Sequence, residues 1–404
     1  MDDARPSTLL EEVARLSRRF GSDPEYTRGG GGNSSAKVDG VLYIKASGRS
    51  LATLSGEELM PLRMAPLLAT LDGGAGASTT QGTDEIMRTA LAARINPDDD
   101  RRPSVEFLFH ALLPDPIVLH THPTVVNALT CARGGQRIAA DIFGDDALWV
   151  PYIDPGLPLA RRIDVERRTF ERRTGRPAPR GMLLQNHGMI VTGDKPAEVA
   201  ARSERIVDAI RRRLEPPGSA PVVPETNYRA AAPATIAALT ATLRRLLAEE
   251  DRPTIVLFDD TPSALEIACM AAGRKLVHGG PLTPDQIVYT GSWPLWIERT
   301  ELDDAESIQR TVGGRLVAHV AKTGVTPSVV VVAGLGVFIV ADSERFAATA
   351  AEVLFDAMRV AQGAATLGGV RVLARNERRF IEDWEAEAYR RGVETVAPVI
   401  VRTM

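Results

Sequence analysis

The chain repeats itself, and that constrains its fold more than any other feature. "IVLHTHPTVVNALTCA" at 117–132 aligns with "IVLFDDTPSALEIACM" at 255–270 at a constant offset of 138, matching an Ile-Val-Leu strand and a cysteine. "LLQNHGMIVTG" ending at 193 aligns with "VVAGLGVFIVA" at 331–341 at an offset of 148, and a helix follows each. A repeat of this length predicts two similar units, and 404 residues are too many for one ordinary core. Under the alignment His120 becomes Phe258, His122 becomes Asp260 and His187 becomes Leu335. Unrelated core histidines have no reason to vanish as a set. The three are expected to share one task, performed only by the first half.

Residues 214–233, "LEPPGSAPVVPETNYRAAAP", carry five prolines and no periodicity, the composition of a linker. The expected domains are therefore 1–213 and 234–404. Each should be α/β, a mainly antiparallel sheet flanked by helices, with the second a degenerate copy. In the first half a helix is predicted near 7–20, with Leu9, Leu10, Val13, Leu16 and Phe20 on one side. "GGGGNSS" (29–35) reads as a glycine-rich turn, Asp39-Gly40 as a hairpin turn, and "GGAGASTTQG" (73–82) as a flexible loop. "PSVEFLFHALL" (103–113) opens like a helix with Pro103 and Ser104 at its start, which puts Glu106 in its first turn. Strands are expected at "DPIVL" (115–119), ending where the histidines begin, within "ALWVPYI", and on both sides of Asn186-His187-Gly188; a long helix covers 196–214.

Composition narrows the partners. With 44% apolar and 25% charged residues and a net charge of −4, nothing calls for a polyanion, so nucleic acid is not an expected partner. Two cysteines cannot build a disulfide framework, which favours a reducing, cytoplasmic setting. No stretch approaches the ~18 apolar residues of a membrane span.

In "LHTHP" (119–123), His120 and His122 sit two apart at the end of a strand of apolar residues. Residues i and i+2 of a strand face the same way, so both imidazoles project to one spot. They are two ligands of one metal or, alternatively, two polar residues near a strand end. His187 at a hairpin tip would complete a three-nitrogen site, and three protein ligands leave room for a substrate. Glu106 is either a further ligand and proton carrier or a helix-start carboxylate favoured by the macrodipole. His110, on the same helical face, reads as packing behind the site. Backbone N–H groups of the glycine-rich turn, with "KASG" (45–48), Ser104, Lys37 and Lys45, together suggest a phosphate or carboxylate pocket.

"GGGGNSSAK", "YIKASG", "SVEFLFH", "HTHP" and "NHGMIVTG" together resemble the successive motifs of the class II aldolase/adducin family. "VPYIDPG", "GPLTPDQIVYTG" and "IEDW" are further similar to the aldolase portion of bifunctional rhamnulose-phosphate aldolase/lactaldehyde dehydrogenase proteins. The resemblance implies one divalent metal, usually Zn²⁺, with Mn²⁺, Co²⁺ or Fe²⁺ as alternatives, held by His120, His122 and His187. It implies Glu106 as further ligand and acid–base group. It implies substrate phosphate at Gly32, Asn33, Ser47, Gly48 and Ser104. The expected reaction is carbon–carbon cleavage of a ketose phosphate or related polyhydroxy carbonyl compound through an enediolate. An epimerase, decarboxylase or dehydratase using the same site is the alternative, and a non-catalytic adducin-like assembly role is disfavoured by the retained ligands. A homo-oligomer, dimer or tetramer, is expected. No strand–GxGxxG–helix unit is evident, so the linked oxidation of the bifunctional proteins is expected to be absent. Gln286 and "VYTG" stand where those proteins carry Asp-His and a basic pair, which leaves the sugar open.

Overall fold

A computed structural model describes residues 4–72, 80–214, 232–248, 253–299, 302 and 305–383. Backbone contacts divide the chain into two units. The first is Met1–Pro217 with Gly363–Arg371 and Arg375–Glu394; the second is Gly218–Gln362 with Val372–Ala374 and Thr395–Met404. Most of the predicted 73–82 loop and of the 214–233 linker lies outside the described residues.

The first unit is built on a seven-stranded sheet. Its strands are β1 (Asn33–Val38), β2 (Val41–Lys45), β3 (Leu59–Arg63), β4 (Ile117–Thr121), β5 (Leu148–Val150), β6 (Gly181–Leu184) and β7 (Gly188–Gly193), in the order β3-β2-β1-β4-β7-β6-β5. All neighbours are antiparallel except the β5–β6 pair. The turn at Asp39-Gly40 has φ of 47° and 77°, both positive, as a tight hairpin whose twist matches its strands requires. β4 lies between β1 and β7, and every one of its five residues is buried. Leu42, Ile44, Phe107, Val118, Leu148, Ile163 and Ile190 belong to one apolar core, which joins the sheet to the helices Phe107–Leu112 and Leu157–Thr174. The predicted N-terminal helix spans Ala4–Gly21 and buries Val13, Leu16 and Phe20.

One element differs from expectation. The helix begins at Phe107, with Glu106 as its N-cap residue, and ends at Leu112. The segment before it is held extended, because Pro103 bridges Ala46 and the Ser104 N–H donates to Lys45 O (3.1 Å). A segment pinned to a neighbouring chain in this way cannot also wind into a helix, so Glu106 caps the helix instead of lying in its first turn.

The second unit has a four-stranded sheet: β8 (Ile255–Asp259), β9 (Leu295–Ile297), β10 (Val329–Val332) and β11 (Gly336–Ala341), in the order β8-β11-β10-β9. This reproduces β4-β7-β6-β5, including the one parallel pair. The register is kept too. His120 faces Ile190 in the first sheet and Phe258 faces Phe338 in the second, the positions that the sequence offsets of 138 and 148 predict. Leu335 and Phe258 pack with the apolar core of Leu239, Leu295, Ile297 and Phe338, so two former histidine positions have become packing. Asp259, the equivalent of Thr121, accepts from Thr261 N (2.8 Å) and Thr261 Oγ1 (2.6 Å) in its own loop. Among the described residues no helix is long and apolar enough to cross a membrane.

Gly336 starts β11 at φ 153°, and a Cβ there would meet Asp259 O at 2.5 Å and Phe258 Cε2 at 2.9 Å. Gly336→Ala should destabilise the second unit by about 1–3 kcal/mol, the usual range for overpacking. The measurement is the urea midpoint of that unit, and an unchanged midpoint would show that the hairpin can shift aside.

Candidate functional site

Two pieces of chain deliver the three histidines. His120 is the fourth residue of β4, and its neighbours in the sheet are Asn33 of β1 and Ile190 of β7. His122 follows the end of β4, where its N–H donates to Tyr26 O (2.9 Å). His187 stands at the tip between β6 and β7, its N–H donating to Leu184 O (3.2 Å). Gly188 makes this convergence possible: a Cβ would meet Thr121 O at 2.5 Å and His122 Cδ2 at 2.7 Å, so only a hydrogen fits.

The rings then meet. Centroids are 4.7 Å apart for His120–His122, 4.9 Å for His120–His187 and 5.2 Å for His122–His187. One nitrogen from each ring lies within 4.8 Å of the others, the one such group of three among the described residues. The Glu106 carboxylate straddles them, with Oε2 3.3 Å from His120 Nε2 and Oε1 3.3 Å from His187 Nε2. Glu106 Oε1 is buried and has no hydrogen-bond partner.

Protonation follows from the surroundings. His120 Nδ1 lies 2.9 Å from Met189 O, so Nδ1 carries the hydrogen and Nε2 presents its lone pair to the centre. Burial pushes His120 down to about 3, which leaves it neutral, the form that binds metal. Burial works to raise Glu106, but the Asn33 amide donating to Oε2 favours the ionised form, and the carboxyl lies below its usual range. Three imidazole nitrogens and a buried anionic oxygen with no donor form a donor set that suits one divalent cation of the zinc type. Glu106 Oε1 is the orphan that such an ion would satisfy.

Behind Glu106 runs a chain of hydrogen bonds through His110, the residue that the sequence places as packing or support behind the site. Ser35 Oγ lies 2.7 Å from His110 Nδ1, His110 Nε2 meets Asn33 Oδ1, and Asn33 Nδ2 donates to Glu106 Oε2 (2.8 Å) and Ser104 Oγ (3.0 Å). One proton arrangement satisfies all of it: the Ser35 hydroxyl donates to Nδ1, and Nε2–H donates to the amide oxygen. His110 is fully buried, and that burial holds it neutral. The period-2 spacing of Asn33 and Ser35 puts both on one face of β1, but nothing in the sequence pairs that face with His110.

The residues expected to hold phosphate are distributed around this chain. Gly32, at φ 71°, lies so close to β4 that a Cβ would meet His120 O at 2.7 Å. Asn33 and Ser104 adjoin Glu106, and both amide hydrogens of Asn33 are already engaged there, so a phosphate contact by Asn33 has to displace one of them. Ser47 N–H donates to Arg102 O (2.8 Å), and Gly48 follows at φ 73°. Lys45, almost wholly buried, ties this loop to the glycine turn by donating to Arg49 O (2.5 Å) and Gly30 O (3.1 Å). The two loops thus meet at a lysine. Lys37 points elsewhere, donating to His110 O (2.7 Å) and Leu113 O (2.5 Å).

The family model for the class II aldolase and adducin N-terminal domain matches residues 11–214. The chain belongs to the class II aldolase and adducin family. A second family model, for the second domain of class II aldolases, matches 234–322 and 315–390. Among curated proteins the chain is similar to an uncharacterized oxidoreductase, YuxG, of Bacillus subtilis (strain 168), 25% identical over 421 residues, or 94% of this chain. The chain spans 58% of that relative's length. Among solved structures it is similar to the N-terminal class II aldolase domain of a conserved protein from Thermoplasma acidophilum: 28% identity, 53% of this chain, 95% of that one, TM-score 0.44. The l-fuculose-1-phosphate aldolase from Thermus thermophilus is 16% identical, with 55% of this chain and 100% of that one covered and a TM-score of 0.34.

Asn33→Leu should destabilise this aldolase-family chain, because it strips partners from buried His110, Ser104 and Glu106 at once. Each buried polar group left unpaired costs about 1–3 kcal/mol, so the urea midpoint of the first unit should fall clearly. A variant as stable as the parent would mean that water replaces the amide.

Proposed function

We propose that the chain is a divalent-metal-dependent carbon–carbon lyase acting on a ketose phosphate or a related polyhydroxy carbonyl compound. The reading is carried by one observation: the Glu106 carboxylate lies 3.3 Å from both His120 Nε2 and His187 Nε2, inside the cluster those rings form with His122. His120, His122 and His187 would hold the cation, with Glu106 as the fourth donor until substrate arrives. The cation would supply a Lewis acid against the negative charge that develops on the cleaved carbonyl fragment.

The chain's own groups do the remaining work. Glu106 is ionised and reaches the centre, so it can take a proton from the substrate hydroxyl or return one to carbon. Asn33 and, through it, His110 and Ser35 fix where that carboxylate points. Gly32, Ser47, Gly48 and Ser104 would anchor the substrate's far anionic end and so orient the reacting bond. A binding or assembly role has no use for a carboxylate aimed at three imidazoles. In the second unit, where Phe258 and Leu335 replace two of the histidines, the equivalent space is filled by packing.

Two measurements test the reading. Elemental analysis of protein purified without chelator should give about one divalent metal per chain, lost in a His120→Ala, His122→Ala double variant. Metal content that survives the double substitution would remove the site. Glu106→Gln, nearly isosteric but unable to carry the proton, should lower turnover of ketose phosphates by ~10²–10⁴-fold with the fold intact. A near-normal rate would reduce Glu106 to a helix cap.

A further inference from the structure

The tip between β6 and β7 is unusual in one residue. Asn186 holds φ 54°, in the left-handed region that residues other than glycine rarely enter. The equivalent residue of the second unit is Gly334, at φ 69°, where no side chain is needed. Both donate their N–H to equivalent carbonyls, Asn186 to Thr130 O (3.2 Å) and Gly334 to Ala268 O (2.9 Å), so the two turns have the same backbone. The copy with His187 thus carries an amide side chain at a position where its duplicate has glycine.

That side chain is engaged on both sides by one residue. Arg371 Nη1 donates to Asn186 Oδ1 (2.7 Å), and Asn186 Nδ2 donates back to Arg371 O (2.9 Å). Arg371 is itself held in three ways. Its N–H donates to Cys131 O (2.7 Å), its Nη2 pairs with Glu377 Oε1 at 2.7 Å, and its guanidinium lies 5.3 Å from the centre of the Tyr152 ring. The segment Gly363–Arg371 packs within the first unit, with Arg133 N–H donating to Gly369 O (2.8 Å) and Ala132 bridging Val370.

We propose that Arg371 is a positioning residue for the metal centre, acting through Asn186 to set the direction of His187. The proposal rests on reading His120, His122 and His187 as ligands of one ion. A single peptide unit links Asn186 to His187. If Asn186 relaxed toward an ordinary backbone conformation, the tip would rotate and carry the His187 ring away from the other two. The two-way bond to Arg371 opposes that rotation. Groups that orient a metal ligand from behind typically change metal affinity by about 10–100-fold when removed.

The test uses the full chain and Zn²⁺ alone, with affinity read by competition against a chromophoric chelator and no substrate present. Arg371→Met keeps the length and loses the donors; Asn186→Gly keeps the left-handed turn and loses the clamp. Each should weaken Zn²⁺ binding by about 10–100-fold, with the circular dichroism of the metal-free protein unchanged. The double variant should be no weaker than the worse single one, because both remove the same link. Zn²⁺ binding in either single variant as tight as in the parent would overturn the proposal, as would losses that multiply in the double variant. A drop in the melting temperature of the metal-free protein with affinity untouched would make Arg371 merely structural. If Arg371→Met does not fold, Asn186→Gly alone decides between these outcomes. A parent chain that binds no Zn²⁺ would instead defeat the metal reading itself, and the clamp with it.

Discussion

Everything at the centre depends on one close approach, that of the β6–β7 tip to the end of β4. Thr121 O and the His122 ring leave room for a hydrogen and nothing larger at Gly188. Only because that position is glycine can His187 arrive beside two imidazoles that the strand has already brought together. The approach also buries what it assembles. Away from water His120 stays neutral, its Nδ1–H is committed to Met189 O, and its Nε2 lone pair has nowhere to point but inward. Burial works to raise Glu106 as well, and the Asn33 amide that donates to its Oε2 works against that. A carboxylate and three imidazoles form a stable buried set only if something cationic or well hydrogen-bonded completes them.

The second unit shows what happens when that requirement is dropped. The same four strands in the same order and register enclose Phe258 and Leu335 instead of His120 and His187. The backbone plan, including a glycine starting the last strand of the hairpin, survives because it is needed for the fold in either case. What disappeared is the polar machinery: the histidines, and the asparagine at the left-handed turn. Close backbone approach belongs to the architecture of both units. Among the described residues the group of three histidines occurs in the first unit alone.

Around the centre of the first unit, rigidity comes from hydrogen bonds that run in both directions. The Ser35–His110–Asn33 chain fixes Glu106 from the β1 side, and the Arg371–Asn186 pair fixes the tip that carries His187. Every donor in these two chains of bonds has an acceptor, which is what makes such networks specify a single geometry rather than destabilise the core. Candidate ligands are thereby held before anything binds, and binding does not need to order them.

The amino-acid sequence by itself determined the repeat, the strand on which His120 and His122 share a direction, and the hairpin that carries His187. It also marked the loss of all three histidines from the second copy. These are local or periodic properties, set by side-chain alternation and turn chemistry over a few residues. Its reading of 103–113 as one helix failed because Ser104 and Pro103 are bound to the chain at Lys45 and Ala46, a long-range contact that overrides local propensity. His110 was visible as a histidine but not as the partner of Asn33, since nothing local pairs residues 77 apart. Arg371 was not visible at all: its bond to Asn186 spans 185 residues. Only the tertiary structure decides such pairings, because a hydrogen bond depends on where two groups are brought in space, and sequence spacing says nothing of that once the chain has crossed from one element to another.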